Sequence, residues 1–284
     1  MSSLLFDVPG PKARARHRIY TVITLVVIAF LIAIVVRKLS AEGVLTSTVF
    51  NDTFTNNNVT YLLEGLVGTL KAAVVAILGA LVLGMVLATA RLSDHAVVRI
   101  PARVVIELFR AIPLVLLMIF LFFTFRSVVG PFGAVVTALV LYNGAVLAEV
   151  FRAGINAVQQ GQSDAAYGIG LRKGQVMRLI LVPQAVRFML PAIISQCVIV
   201  LKDTSLGYVV VYGELVRHGR QVALFVSDGT ILVYSTIALV FIIINYSLSK
   251  LAEFVERRLA SRGSGSEAAK VSQANVGGLG GLGG

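Results

Sequence analysis

A chain of 284 residues with 57% hydrophobic and 14% charged residues is too apolar for a water-soluble domain of that length. Its formal net charge of +11 leaves nucleic-acid binding to be judged by where the basic residues lie, and its single cysteine, Cys197, excludes an internal disulfide. Uncharged apolar runs of about 18 or more residues can cross a hydrocarbon core about 30 Å thick, and the sequence holds several. It is expected to be an all-α polytopic membrane protein.

The first run, Ile19 to Val36, follows Lys12, Arg14, Arg16 and Arg18. A secretory signal has the same basic flank. Here, however, the apolar core exceeds the usual h-region, and Arg37 and Lys38 stand where small cleavage-site residues belong, so the run reads as a retained span. The next runs are Ala72 to Ala90, then Ile106 to Phe125 with Glu107 and Arg110 at its start, then about Ser127 to Ala148. The fifth, Phe188 to about Val210, is interrupted by Lys202 and Asp203, and the sixth runs from Thr230 to Ser249. Pro113 and Pro191, each near the start of a span, are expected to kink or start a helix.

About six spans place both termini on one side. Eighteen of the 25 Lys and Arg residues fall on that side and five on the other, so the positive-inside rule makes the termini cytosolic. Those charges are spread over four short segments rather than gathered in one stripe with interleaved aromatics, so they serve topology and not nucleic acid. The chain divides into a basic cytosolic tail at 1–18, a membrane domain at 19–256, and a Ser-, Gly- and Ala-rich tail at 257–284 expected to be disordered.

No P-loop, H-E-x-x-H or G-x-S-x-G motif occurs, and His17, His95 and His218 are widely separated, so no catalytic residue, metal site or bound cofactor is expected. The informative segment is a cytosolic stretch of about 36 residues, 152–187. It reads Asp164-Ala165-Ala166, three residues, Gly170, nine residues, then Ile180-Leu181-Val182-Pro183. A helix starting near Ser163 would place Asp164 in its positive first turn, and Gly170 and Gly174 would split the segment into two short helices. Leu171, Met177 and Ile180 supply apolar groups for a partner's groove, with a helix lying on lipid headgroups as the alternative.

Charges inside a span usually face a cavity or a partner, which singles out Lys202 and Asp203 with the following Thr204 and Ser205. Consecutive helical residues diverge by about 100°, so Lys202 and Asp203 need separate partners. Ser195 shares a face with Lys202 and Gln196 with Asp203, and Asn143 and Glu149 of the fourth span could oppose them. Two readings stay open here, a translocation path or subunit contact and a structural ion pair. Glu107 and Arg110, three residues apart at a span's end, are expected to form an interfacial pair.

The spacing at 164–183 resembles the EAA loop of ABC-importer permeases, E-A-A, three residues, G, nine residues, I-x-L-P, with Asp164 for Glu and Val182 for Leu. GLVGTL at 65–70, ELFRAIPL at 107–114, AEVFRAGINAVQQGQ at 148–162, VPQAVRFMLP at 182–191 and LKDTSL at 201–206 narrow the resemblance to permeases of polar amino-acid uptake. The N-terminal FDVPGPKARAR is similar to glutamate permeases of actinobacteria. The resemblance implies the type I ABC-importer permease fold in a bacterial cytoplasmic membrane. It further implies a non-catalytic subunit importing a polar amino acid, glutamate or aspartate by preference, through alternating access. ATP and Mg would be used by a partner ATPase dimer docked on Asp164, Ala165, Ala166, Gly170, Leu171, Gly174, Met177, Ile180 and Pro183. A second permease half, a related chain in preference to an identical one, and an external solute-binding protein would complete the machine. The competing reading is a secondary transporter driven by an ion gradient through Glu149, Lys202 and Asp203, but no second copy of LKDTSL or of the loop suggests the internal repeat usual there.

Overall fold

In the computed structural model the backbone is described for residues 11–226 and 228–277, and side chains for 16–226, 228–251, 253 and 254. Ten α-helices follow in order among these residues: α1 Pro11–Ala41, α2 Ser47–Thr53, α3 Asn56–Arg91, α4 Ala96–Ala111, α5 Leu114–Asn156, α6 Gln160–Gly168, α7 Lys173–Gln175, α8 Val182–Asp203, α9 Leu215–Phe225 and α10 Thr230–Gly277. A π-helical turn, Val176–Leu181, joins α7 to α8, and a 3-10 stretch, Thr204–Val210, follows α8. Helices satisfy their backbone polar groups internally, as hydrocarbon demands.

Five of these helices are long and apolar enough to cross a membrane, against the six expected spans. The difference lies in α5. Its 43 residues include non-helical backbone at Phe125 (φ −119°, ψ 23°) and Gly130 (φ 57°, ψ −175°), followed by Pro131, so the third and fourth expected spans are its two limbs. The third span also starts later than expected. Pro113 caps α5, and 96–111 is a separate amphipathic helix, which removes Glu107 and Arg110 from the span. Pro191, by contrast, sits inside the continuous α8. The last helix, α10, is described as far as Gly277, within the segment 257–284 read as a tail. Residues 278–284 lie outside the described residues.

The core is built on α3. Ala72, Ala76, Ala80, Gly84 and Ala88 form a buried stripe with a four-residue repeat. Small residues let helix backbones approach closely where apolar burial gives little drive between helices. Both limbs of α5 fill that face: Leu117, Met118, Ala134, Val135, Ala138 and Leu139 pack with Ala72 and Ala76, and Ala145, Leu147 and Ala148 with Ala80 and Ala88. The apolar side chains of α1, from Ile19 to Val36, are open on all sides, as lipid-facing residues are.

At the other end of α3, α9 docks on its first turns. Gly68 permits this approach, since a Cβ there would lie 2.2 Å from the Gly213 carbonyl oxygen. Tyr212 Oη donates to the Gly68 carbonyl at 2.8 Å and the Leu215 amide to Thr69 Oγ1 at 3.1 Å. Glu214, 0% exposed, caps α9 by accepting the Val216 and Arg217 amides at 2.8 and 2.7 Å. Burial outweighs those two bonds and pushes the Glu214 carboxyl from its ordinary 4.5 up to about 7. A raised folded value means its contribution to stability is full below about 4.5 and is lost as pH rises to about 7. The thermal midpoint of the purified protein should therefore fall between about pH 5 and about pH 7.5, and Glu214→Gln should flatten that fall. Parallel curves for parent and variant would contradict this.

Candidate functional site

Two groups of side chains carry chemistry here, the 152–187 loop and a polar seam between α5 and α8. In the loop, α6 begins at Gln160, three residues before the expected start, and Ser163 Oγ donates to the Gln160 carbonyl at 2.7 Å instead of capping the helix. Asp164 therefore lies in the second turn, exposed, and gains nothing from the first-turn dipole. The helix ends as its glycine foretold. The Gly170 amide donates to the Tyr167 carbonyl at 2.9 Å and the Leu171 amide to the Ala166 carbonyl at 3.2 Å, a Schellman closure with Gly170 at φ +83°. Nothing lies within 4 Å of a Cβ placed at Gly170, so its requirement is conformational and not one of space. Gly174 does not break the chain but sits within α7, because the break is complete by Arg172.

Beyond the break, six residues take π-helical geometry before Val182-Pro183 opens α8. Such turns are rare and frequent at functional sites. Leu171, Met177 and Ile180, expected to face a partner, are half-buried, as Ala166 is fully, because they hold the loop to its own chain. Ala165 and Pro183 are exposed. The apolar groups that stand most open are Tyr167 (47%), Ile169 (79%) and Leu179 (59%), ahead of Val182 and Val186 at the start of α8. Sequence spacing missed these three, although Tyr167 and Ile169 lie just before Gly170, one of the two glycines it singled out.

The loop is braced from the α3–α4 turn. Lys173 Nζ donates to the Leu92 carbonyl at 3.3 Å and to Asp94, and its hydrogen bond to Asp94 holds that carboxyl below its ordinary range. A cavity of about 380 Å³ lies between turn and loop, lined by Leu92, His95, Gly174 and Met177 among others.

In the polar seam, the expected opposition of Asn143 and Gln196 is present: Gln196 Nε2 donates to Asn143 Oδ1 at 2.5 Å, and Asn143 Nδ2 to the Leu139 carbonyl at 2.9 Å. Both residues are buried. Glu149 does not join them. Its two oxygens lie 3.0 Å from Arg91 Nη1, at the basic end of α3, and 3.0 Å from Arg152 Nη2, one turn away on α5. Ser195, exposed, donates back to the Pro191 carbonyl at 2.9 Å.

Lys202 is exposed and Asp203 half-buried, and among the described residues neither makes an ion pair. They end α8 inside an apolar stretch, Lys173–Val210, long enough to cross a membrane, with Thr204 (buried) and Ser205 turning the backbone into 3-10 geometry through bonds to the Leu201 and Lys202 carbonyls at 2.7 and 2.8 Å. Val211 follows at φ +65°, a strained value for a β-branched residue, and hands the chain to the Gly68–Thr69 contact. LKDTSL and GLVGTL, 130 residues apart, are thereby linked, which no local pattern announces. Glu107 pairs with Arg103 at 2.7 Å and not with Arg110, because the i,i+4 partner falls nearer on this exposed helix face. The Arg103 bond lowers the Glu107 carboxyl's proton affinity. Glu149, Lys202 and Asp203, which a gradient-driven carrier needed together, are not assembled.

A family model described as the binding-protein-dependent transport system inner membrane component matches residues 80–261. The chain is similar to the glutamate transport system permease protein GluD of Corynebacterium glutamicum, 44% identical over 221 residues covering 75% of this chain and 81% of that one. It is 34% identical over 212 residues to the glutamate/aspartate import permease protein GltK of Escherichia coli, with 70% and 94% covered. Among solved structures it superposes on an amino acid ABC transporter crystallised with histidines, TM-score 0.66 at 28% identity, covering 70% of this chain and 94% of that chain.

Removing one partner of the buried amide pair leaves the other unsatisfied, at about 1–3 kcal/mol. Asn143→Leu should lower the thermal midpoint, while Asn143→Leu with Gln196→Leu should recover most of the loss. A double variant no better than the single one would show that the pair is not coupled.

Proposed function

From the premise that the chain belongs to the family of binding-protein-dependent transport system inner membrane components, we infer how its parts divide the work. It is a non-catalytic, membrane-spanning permease subunit of an ABC importer for a polar amino acid, in the bacterial inner membrane. The family implies an ATPase and an external substrate-binding protein as partners.

We propose that the loop from Asp164 to Pro183 is where the ATPase docks. One observation carries this: Tyr167, Ile169 and Leu179 stand open on a loop whose Leu171, Met177 and Ile180 are half-buried and whose Lys173 pairs with Asp94 of the α3–α4 turn. An exposed apolar face on short helical turns suits a partner's groove. The basic end of the molecule, with Arg91, Arg152, Arg172, Lys173 and Arg178 near this loop, would face the cytosol together with both termini. ATP and Mg would be bound by the partner and not by this chain. Lys202 and Asp203, without an ion pair among the described residues at the end of α8, would meet groups of a second permease half, for which a related chain is favoured. Glutamate or aspartate is the proposed substrate, supported by the names of two relatives; calorimetric titration of the cognate binding protein tests it, and preference for a basic amino acid would overturn it.

Gly170→Asp forces a side chain into left-handed backbone, and uptake should fall by about tenfold, the factor that about 1.4 kcal/mol represents. Gly170→Asn, which tolerates that conformation better, should lose less. Leu179→Asp should release the ATPase on co-purification at unchanged membrane abundance. If all three variants assemble and transport like the parent, the loop lies on lipid headgroups instead.

A further inference from the structure

At the basic end a second cavity, of about 400 Å³, opens between α3, α4 and α5, and four of its lining residues are arginines: Arg91, Arg99, Arg103 and Arg152. Two carboxylates face this group. Glu149 is held between Arg91 and Arg152 at 3.0 Å to each, and Glu107 accepts from Arg103 Nε at 2.7 Å. A third carboxylate, Asp94, pairs with Lys173 and also lies in electrostatic range of Arg99, so four arginines meet three carboxylates, and donors remain. Arg103 spends only its Nε on Glu107, and Arg99 makes no ion pair among the described residues. Arg91 and Glu149 are largely buried, with side chains 17% and 19% exposed, so the deep wall is fixed by packing, and the outer wall by α4.

The outer wall has a second property. On α4 the residues Arg99, Arg103 and Glu107 follow at i,i+4 spacing, and Ala102 and Ile106 turn into the core. The remaining sector carries Val97 (86%), Ile100 (58%), Val104 (58%) and Leu108 (53%), all exposed. A sixteen-residue helix with an arginine stripe beside an open apolar face, too polar to span, has the composition of one lying in the membrane interface. Hydrocarbon must cover the valines at the same depth where an anion must meet the guanidiniums. One molecule supplies both.

We propose that this cavity holds the phosphate headgroup of an anionic phospholipid, its acyl chains lying along the Val97–Leu108 face of α4. The shared chemistry is a phosphate oxyanion on converging guanidiniums; the apolar face selects the lipid as its source over a soluble phosphate. Basic pockets between helices on the cytosolic side of a membrane suit such headgroups. Leu92 lines both this cavity and the one behind the docking loop, so a bound headgroup would tie α3, α4 and α5 together next to the segment that Lys173 braces. The inference stands on this pocket alone and does not depend on the substrate or on the docking partner.

The test uses the full-length chain with its partner subunits, reconstituted in nanodiscs of mixed phosphatidylglycerol and phosphatidylcholine, with retained lipids counted by native mass spectrometry. The parent should retain phosphatidylglycerol, and Arg99→Gln with Arg103→Gln should reduce that retention about fivefold or more. Arg99→Lys with Arg103→Lys should keep most of it. Arg217→Gln with Arg220→Gln, an equal loss of charge on α9, should match the parent. In discs of phosphatidylcholine alone, inorganic phosphate at about 10 mM should leave amide exchange in 96–111 unchanged, whereas phosphatidylglycerol should slow it. Equal retention by parent and glutamine pair, or an equal fall in the α9 control, overturns the site. Slowed exchange with phosphate alone overturns the lipid as its ligand.

Discussion

Ala72, Ala76, Ala80, Gly84 and Ala88 recur every four residues along α3, and this stripe decides how near α5 can lie. In lipid no expulsion of water drives helices together, so contact distance and the few buried hydrogen bonds carry the association. With α5 close, Asn143 comes opposite Gln196 of α8, and Glu149 reaches Arg91 at the end of α3. At the opposite end, Gly68 and Thr69 on the same helix seat α9. A branched residue in the stripe would displace all three contacts together, which is why α3 is the helix on which the rest depends.

The two ends of α3 hold different kinds of structure. One end carries α9 with a buried, capped carboxylate and stacked rings, Tyr61 on His218 at 4.1 Å between centroids. The other gathers guanidiniums, short helices and a π-helical turn with exposed apolar groups. A rigid helix of 36 residues, about 54 Å at the α-helical rise, connects them. That arrangement suits a subunit that must relate events on one side of a membrane to a binding step on the other, while hydrolysis takes place elsewhere.

Much of this was legible in the sequence, for physical reasons that differ by element. The spans declare themselves because hydrocarbon tolerates few charges, and the loop break at Gly170 because few residues other than glycine take φ near +83° readily. Asn143 opposite Gln196 followed from polar residues confined to apolar helices. Hydropathy separated the two limbs at Arg126 but could not show that they meet in a kink through Phe125 and Gly130, since backbone angles leave no trace in hydropathy. Nor could local spacing tell which loop side chains turn inward: Leu171, Met177 and Ile180 were as apolar as Tyr167, Ile169 and Leu179, and packing against α8 and the α3–α4 turn sorted them. Glu107 chose Arg103 over Arg110, and Glu149 chose Arg91 and Arg152, because pairing depends on rotamers and on partners distant in sequence. Glu214, buried by a contact across 145 residues, had no local signal at all.

As an ABC-importer permease subunit, this chain is proposed to form half of a translocation path driven by an ATPase and fed by an external binding protein. Proteoliposomes containing the chain, a second permease half and the ATPase should take up labelled glutamate only with ATP on the ATPase side and binding protein on the other. Collapsing ion gradients should leave the rate unchanged. Uptake by this chain alone under an imposed ion gradient, without ATPase or binding protein, would contradict the account.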